Sequence, residues 1–341
     1  MIVEDSATTR ELLVYALAAE HDIEIVAVAE DGAAAVALVA KARPDIILMD
    51  INMPRLNGYE ASRTIMEEHP LPILLMTATW ELKEVEKIIE SMHIGVVGAY
   101  EKPYGPGHPR YKELYEKIVA GIRLMSDVKV IRRWKPSSDT KSGNFDIETK
   151  KPAFIVIGSS TGGPPILHTI LKGLPSDYPL PILVAQHMSS EFIESFVQWL
   201  NFECAVNVKI AQEGEKILGG NVYIAPAGHH LILDNNRIKL PVGDANELFT
   251  PSVSKLFSSV RPCDAPNTVA ILLSGMGSDG ADATVELRKG GAITVGQNEA
   301  TSVVFGMVKE AIKGGGIEFL LPPQGILELL LKIGAATKEH R

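Results

Sequence analysis

The sequence predicts two α/β domains in series, each a largely parallel sheet covered by helices. Three observations carry that expectation. Short apolar runs alternate with amphipathic ones through residues 1–125, the pattern collapses across residues 126–152, and it restarts abruptly at Ala153. A chain of 341 residues is long for one domain and comfortable for two, and 46% hydrophobic residues suffice for two cores.

In the first block, residues 23–29, 45–49, 72–77 and 96–100 read as strands, after a short apolar start at Met1 to Val3. Residues 10–19, 33–41, 59–68, 83–92 and 111–124 place apolar side chains at helical spacing. Residues 126–152 mix charge, Ser, Gly and Pro without period, as in Lys135-Pro136-Ser137-Ser138 and Lys141-Ser142-Gly143, which is a linker composition. The second block, residues 153–341, has strands expected at 153–157, 182–185, 222–225, 268–273 and 292–295. Helices are expected at 165–171, 191–200, 282–289 and 303–312. Residues 230–234 and 237–240 flank Asn235-Asn236, an antiparallel hairpin signal.

The formal net charge of −9 offers no basic field for a phosphate backbone, so nucleic acid is not an expected partner. The opening Met1-Ile2-Val3-Glu4-Asp5 lacks the cationic and apolar regions of a secretion signal. No apolar run reaches the ~20 residues needed to cross a bilayer; residues 326–333 are interrupted by Glu328 and Lys332. Cys204 and Cys263 make neither a disulfide framework nor a metal-ligand spacing. A cytoplasmic protein without membrane insertion is expected.

At the predicted strand ends of the first block stand Glu4, Asp5 and Asp50, then Thr77, then Lys102. Ligands of open parallel sheets bind beyond the carboxyl ends of the strands, so these groups can converge. Three carboxylates repel one another unless a divalent cation neutralises them, and hard oxygen donors suit Mg²⁺. With a hydroxyl and an ammonium, the set can stabilise an acyl phosphate on one aspartate. Val3-Glu4-Asp5-Ser6, Leu48-Met49-Asp50-Ile51-Asn52-Met53-Pro54, Gly58, Thr77-Ala78 and Glu101-Lys102-Pro103 resemble the response-regulator receiver family. The resemblance implies a flavodoxin-like, five-stranded parallel sheet with Asp50 as phospho-acceptor. It also implies Glu4, Asp5, Asp50 and the Asn52 carbonyl around Mg²⁺, and Thr77 and Lys102 on the phosphoryl oxygens. Two features depart from the family: only Met1 to Val3 precede Glu4, and Ala99 stands where an aromatic precedes the lysine by three.

The second block opens with a buried strand leading into Gly158-Ser159-Ser160-Thr161-Gly162-Gly163-Pro164-Pro165, which contains G-x-S-x-G. Such a strand-to-helix turn exposes a serine hydroxyl and aims helix N–H groups at developing negative charge. There is no Gly-Lys-Ser/Thr and no G-x-G-x-x-G, so phosphate-cradling and dinucleotide loops are disfavoured, although a structural glycine turn remains open. A serine nucleophile needs an oriented base. His187 ends the strand at 182–185, and Asp279 follows the strand at 268–273. The order Ser, His, Asp differs from that of lipase-like hydrolases.

The segments Gly158 to Pro164, Gln186-His187-Met188, Ile224-Ala225-Pro226, Leu273 to Ala281 and Gln297-Asn298-Glu299-Ala300-Thr301 closely resemble the chemotaxis methylesterase family, CheB. That resemblance implies a doubly wound catalytic domain hydrolysing glutamate γ-methyl esters on the cytoplasmic helices of methyl-accepting chemoreceptors, with possible glutamine deamidation. It implies Ser160 as nucleophile, His187 as base and Asp279 as its orienter. The backbone N–H groups of His187 and Met276 become the expected oxyanion donors, with Thr161 in support. A chemotaxis histidine kinase is the implied phosphodonor; Mg²⁺ serves the receiver, and ester hydrolysis needs no cofactor. The alternatives are a non-catalytic signalling module and the same esterase on a different receptor.

Overall fold

The protein is described here as a computed structural model covering residues 1–128, 130, 151–244, 247 and 249–339. The chain divides into two compact units, Met1–Lys135 and Pro136–Arg341. Most of the expected linker, 126–152, lies outside the described residues.

The first unit runs β1 (Ile2–Val3), α1 (Ala7–Leu17), β2 (Val28–Ala29), α2 (Gly32–Ala42), β3 (Ile47–Asp50), α3 (Gly58–Glu68), β4 (Ile73–Thr77), α4 (Leu82–Ile94), β5 (Gly98–Glu101) and α5 (Tyr111–Met125). Its five strands are all parallel in the order β2-β1-β3-β4-β5. β3 and β4 are buried on both faces, which is why they read as unbroken apolar runs. Helices start where a side chain caps free N–H groups. Ser6 accepts from Thr9, Asp31 from Ala34, and Asn57 forms a reciprocal capping box with Glu60. The expected strand 23–29 contracts to Val28–Ala29, because β1 offers it only Ile2 and Val3 as partners.

The second unit contains β6 (Phe154–Ser159), α6 (Gly163–Lys172), β7 (Ile182–Gln186), α7 (Ser190–Glu203), β8 (Asn207–Ile210), β9 (Asn221–Ile224), β10 (Ile232–Asp234) and β11 (Arg237–Lys239). There follow α8 (Val253–Ser258), β12 (Thr268–Leu272), α9 (Ala281–Lys289), β13 (Ile293–Gln297), α10 (Met307–Lys313), β14 (Phe319–Leu321) and α11 (Pro323–Glu339). Seven parallel strands lie in the order β14-β13-β12-β6-β7-β9-β8, and β10-β11 form a separate antiparallel hairpin. Its turn places Asn235 and Asn236 at φ 49° and 61°, conformations that asparagine tolerates. The chain leaves β6 toward β7 first and later returns to β12 on β6's other side, so the sheet reverses direction of growth between β6 and β12.

The expected helix 303–312 begins only at Met307. Upstream, Phe305 bridges to Gly275, and the N–H groups of Gly306 and Met307 both donate to the Gly275 carbonyl, which keeps 303–305 out of the helix. β8, β14, α8 and α11 had not been expected. β8 and β14 are short edge strands, and α11 buries Ile326, Leu329, Leu330 and Ile333 at helical spacing. Among the described residues no helix is long and apolar enough to cross a membrane. Both cysteines are free thiols, and burial pushes that of Cys204 up to about 12.

Candidate active site and phospho-acceptor pocket

In the first unit Glu4 follows β1, Asp50 ends β3, Thr77 ends β4 and Lys102 follows β5, at the edge where the sheet reverses between β1 and β3. Glu4, Asp5 and Asp50 each bring an oxygen within 4.8 Å of the others. Lys102 Nζ lies 2.7 Å from Asp50 Oδ2 and 3.1 Å from Glu4 Oε1. Burial pushes the Glu4 carboxyl up, the neighbouring Asp50 adds to this, and Lys102 opposes it. Asp50 is also raised by burial, against the hydrogen bond and charge of Lys102. Glu4 Oε2 is buried without a hydrogen-bond partner. An orphaned oxygen beside two further carboxylates fits a hard divalent cation such as Mg²⁺. The close approach of α3 requires Gly58, since a Cβ there would stand 2.1 Å from the Asp50 carbonyl.

Thr77 and Asn52 share a partner that sequence reasoning missed. The Thr77 hydroxyl lies 2.5 Å from Glu84 Oε2 and 2.7 Å from the Thr79 carbonyl, and the Asn52 amide donates to Glu84 Oε1 at 2.8 Å. Glu84 sits in the first turn of α4, and nothing in its spacing marked it. The Asn52 N–H donates to Asp50 Oδ1 at 3.3 Å. At Ala99, three residues before Lys102, the side chain is buried, while the Tyr100 ring packs on α5, where a Cβ at Gly121 would strike its hydroxyl.

In the second unit Ser160 follows β6, His187 follows β7 and Asp279 follows β12, on three adjacent strands flanking the reversal. His187 Nε2 lies 2.9 Å from Asp279 Oδ2. The carboxylate also accepts from the Ser252 hydroxyl at 3.0 Å, the Val253 N–H at 2.7 Å and the Ser254 N–H at 2.9 Å. Burial alone pushes Asp279 up, but the hydrogen bonds from His187 and Ser254 carry it well below the usual carboxylate range. A carboxylate at Nε2 places the proton of the neutral His187 ring on that nitrogen and leaves Nδ1, which is buried and without a hydrogen bond among the described residues, as the acceptor. The ring of His187 lies flat on that of Phe249, centroids 4.4 Å apart and planes 2° apart.

The nucleophile turn is tied to both neighbours. Ser160 N–H donates to the Ser274 carbonyl at 3.0 Å, and the Gln186 amide donates to the carbonyls of Ser160 and His187 at 3.0 and 2.8 Å. Gly162 adopts φ 76°, which a side chain would resist. Gly158 has a different reason from the tight turn expected: a Cβ there would stand 2.2 Å from Val253 Cγ1, so it admits the start of α8. The expected oxyanion donors separate. The His187 N–H already donates to the Ser159 carbonyl at 2.9 Å in the sheet ladder, so it does not serve as a free donor. The Met276 N–H donates to nothing among the described residues. Thr161 turns its carbonyl to the Ser274 hydroxyl at 2.7 Å. Gln186, Phe249 and Ser252 had no assigned role in the sequence; of these, Ser252 carried a readable signal, a serine cap ahead of Val253, Leu256 and Phe257.

Residues 155–330 match the CheB methylesterase family, and residues 1–109 match the response regulator receiver domain. The chain belongs to the CheB methylesterase family. Among curated relatives in this family, protein-glutamate methylesterase/protein-glutamine glutaminase 4 of Geobacter metallireducens is 42% identical over 98% of both chains. The corresponding protein 3 of Hahella chejuensis is 41% identical over 97% of both. The crystal structure of the Thermotoga maritima CheB methylesterase catalytic domain is 34% identical, with a TM-score of 0.51, and covers 53% of this chain and 98% of its own. CheB ancestry accounts for the tandem arrangement of receiver and hydrolase.

Proposed function

We propose that this chain is a phosphorylation-controlled protein-glutamate methylesterase of the cytoplasm, acting on the helices of methyl-accepting chemoreceptors. The observation that carries the reading is the His187–Asp279 pair, which leaves a bare, buried Nδ1 beside the turn bearing Ser160. In this mechanism His187 Nδ1 takes the Ser160 hydroxyl proton as Oγ attacks the ester carbonyl. Asp279 stabilises the imidazolium, and the Met276 N–H receives the oxyanion, with Thr161 helping to shape the turn. His187 then returns the proton to the departing methoxide, and methanol leaves. Water, deprotonated by the same nitrogen, releases the glutamate carboxylate and restores Ser160. Glutamine deamidation follows the same steps with ammonia leaving, against a harder amide bond.

Control resides in the first unit. Asp50 accepts a phosphoryl group from a chemotaxis histidine kinase, and Thr77 and Lys102 bind its oxygens. Glu4, Asp5, Asp50 and the Asn52 carbonyl would hold Mg²⁺, which supplies charge neutralisation for phosphoryl transfer. The test is methanol release from methylated receptor. Ser160→Ala is expected to lower kcat by about 10³-fold or more with the fold intact, while Asp50→Asn abolishes acid-labile incorporation from acetyl phosphate. Near-wild-type turnover in Ser160→Ala would end the serine mechanism.

A further inference from the structure

The hold on Asp279 traces back to a second histidine. His230 lies between β9 and β10 and is fully buried. Its Nδ1 accepts the backbone N–H of Ser252 at 3.1 Å. A ring nitrogen that accepts an N–H carries no proton, so in the neutral ring the proton resides on Nε2. Nε2 faces the Glu247 carboxylate, which also receives the ammonium of Lys255, itself 3.2 Å from Nε2. Both ends of the ring are therefore used, with the donor end on a carboxylate and the acceptor end on the chain at Ser252.

Ser252 is the residue whose hydroxyl donates to Asp279 and caps α8, and the next two N–H groups complete the cradle of that carboxylate. Ser254 Oγ in turn accepts the N–H of Gly280, the neighbour of Asp279, at 2.7 Å. A continuous series of hydrogen bonds thus runs from Glu247 through His230, Ser252 and Asp279 to His187. We propose that His230 is a positioning residue for ester hydrolysis: a buried neutral imidazole that fixes the Ser252–Ser254 turn and, through it, the carboxylate that orients His187. Resting on the assignment of Ser160, His187 and Asp279, the proposal adds a residue that touches neither substrate nor reacting atoms. Its chemistry demands an acceptor at the Nδ1 position.

Asparagine and glutamine separate that acceptor from mere bulk and polarity. His230→Asn places an amide oxygen near the Nδ1 position, whereas His230→Gln places its amide near Nε2 and leaves the Ser252 N–H without a partner. Steady-state methanol release from methylated receptor is measured with full-length protein treated with acetyl phosphate and Mg²⁺, and near-UV circular dichroism reports the fold. His230→Gln and His230→Leu are expected to lower kcat about 10- to 100-fold, the usual scale for losing a group that orients a working ligand. KM should stay within about twofold, because no substrate contact is removed. His230→Asn should recover kcat to within about fivefold of wild type. In an Asp279→Ala background, adding His230→Gln should lower kcat no further. If His230→Leu fails to fold, the Asn and Gln pair still decides. Wild-type kcat in His230→Gln, equal losses in the Asn and Gln variants, or a full further loss without Asp279 would each overturn the role. Ser160→Ala is assayed beside them: turnover surviving there removes the triad itself, whereas an inert Ser160→Ala beside a fully active His230→Gln removes only the role of His230.

Discussion

Glu4 is wholly buried, and one of its two carboxylate oxygens meets no donor. Its pKa and that of Asp50 are raised, first by burial, with the two carboxylates in mutual repulsion as a further cause for Glu4. An acid whose folded pKa exceeds its unfolded value destabilises the fold above the folded pKa, and the cost disappears as pH falls and the group protonates. A divalent cation relieves the same cost only where the carboxylates are ionised. Millimolar Mg²⁺ is therefore expected to raise the Tm of the first unit by about 2–5 °C at pH 7.5. The shift should shrink toward pH 5, and Glu4→Gln should reduce it; thermal scans with and without Mg²⁺ at both pH values provide the check. An equal shift at both would contradict the raised pKa values. These residues were readable from sequence because each stands at a strand end, whereas Glu84 was not, since its partners Thr77 and Asn52 meet it only after α4 has packed.

At the scale of elements, α8 shows why a short helix can matter more than its length suggests. It has six residues, yet the first two of its N–H groups both go to Asp279, and Val253 at its start fills the space kept clear by Gly158 and Gly280. Among the described residues, every group that hydrogen-bonds the Asp279 carboxylate is a donor, so an amide there must turn its NH₂ against another donor. Asp279→Asn is expected to lower kcat about 10³- to 10⁴-fold, and also to lower the Tm of the catalytic unit, which methanol release and calorimetry would measure. Unchanged Tm would show that the cradle contributes little to stability. The long central strands were legible as unbroken apolar runs, and the hairpin as Asn235-Asn236. The edge strands β8 and β14 and the six residues of α8 were too short to show a period, and α10 started late because Gly275, distant in sequence, holds the chain before it.

Across the whole molecule, a receiver alone performs no chemistry on a receptor, and an unregulated esterase would continually erase methylation. A fragment beginning near Lys151 is therefore expected to exceed the methanol release of unphosphorylated full-length protein, and acetyl phosphate should bring the full chain up to or beyond the fragment. Equal activity of the fragment and the unphosphorylated chain would leave the receiver as a docking device instead. The strand order of the second unit has another consequence, one of timing. β6 and β7, which present Ser160 and His187, are made early, but the strand on the other flank of β6 is β12, and Asp279 follows His187 by 92 residues. Contacts so far apart in sequence form late. A chain still emerging from the ribosome thus holds a serine and a histidine with no carboxylate to orient the imidazole. Full turnover therefore waits until the sheet has closed over β12, so the rate of hydrolysis is tied to completion of the catalytic unit.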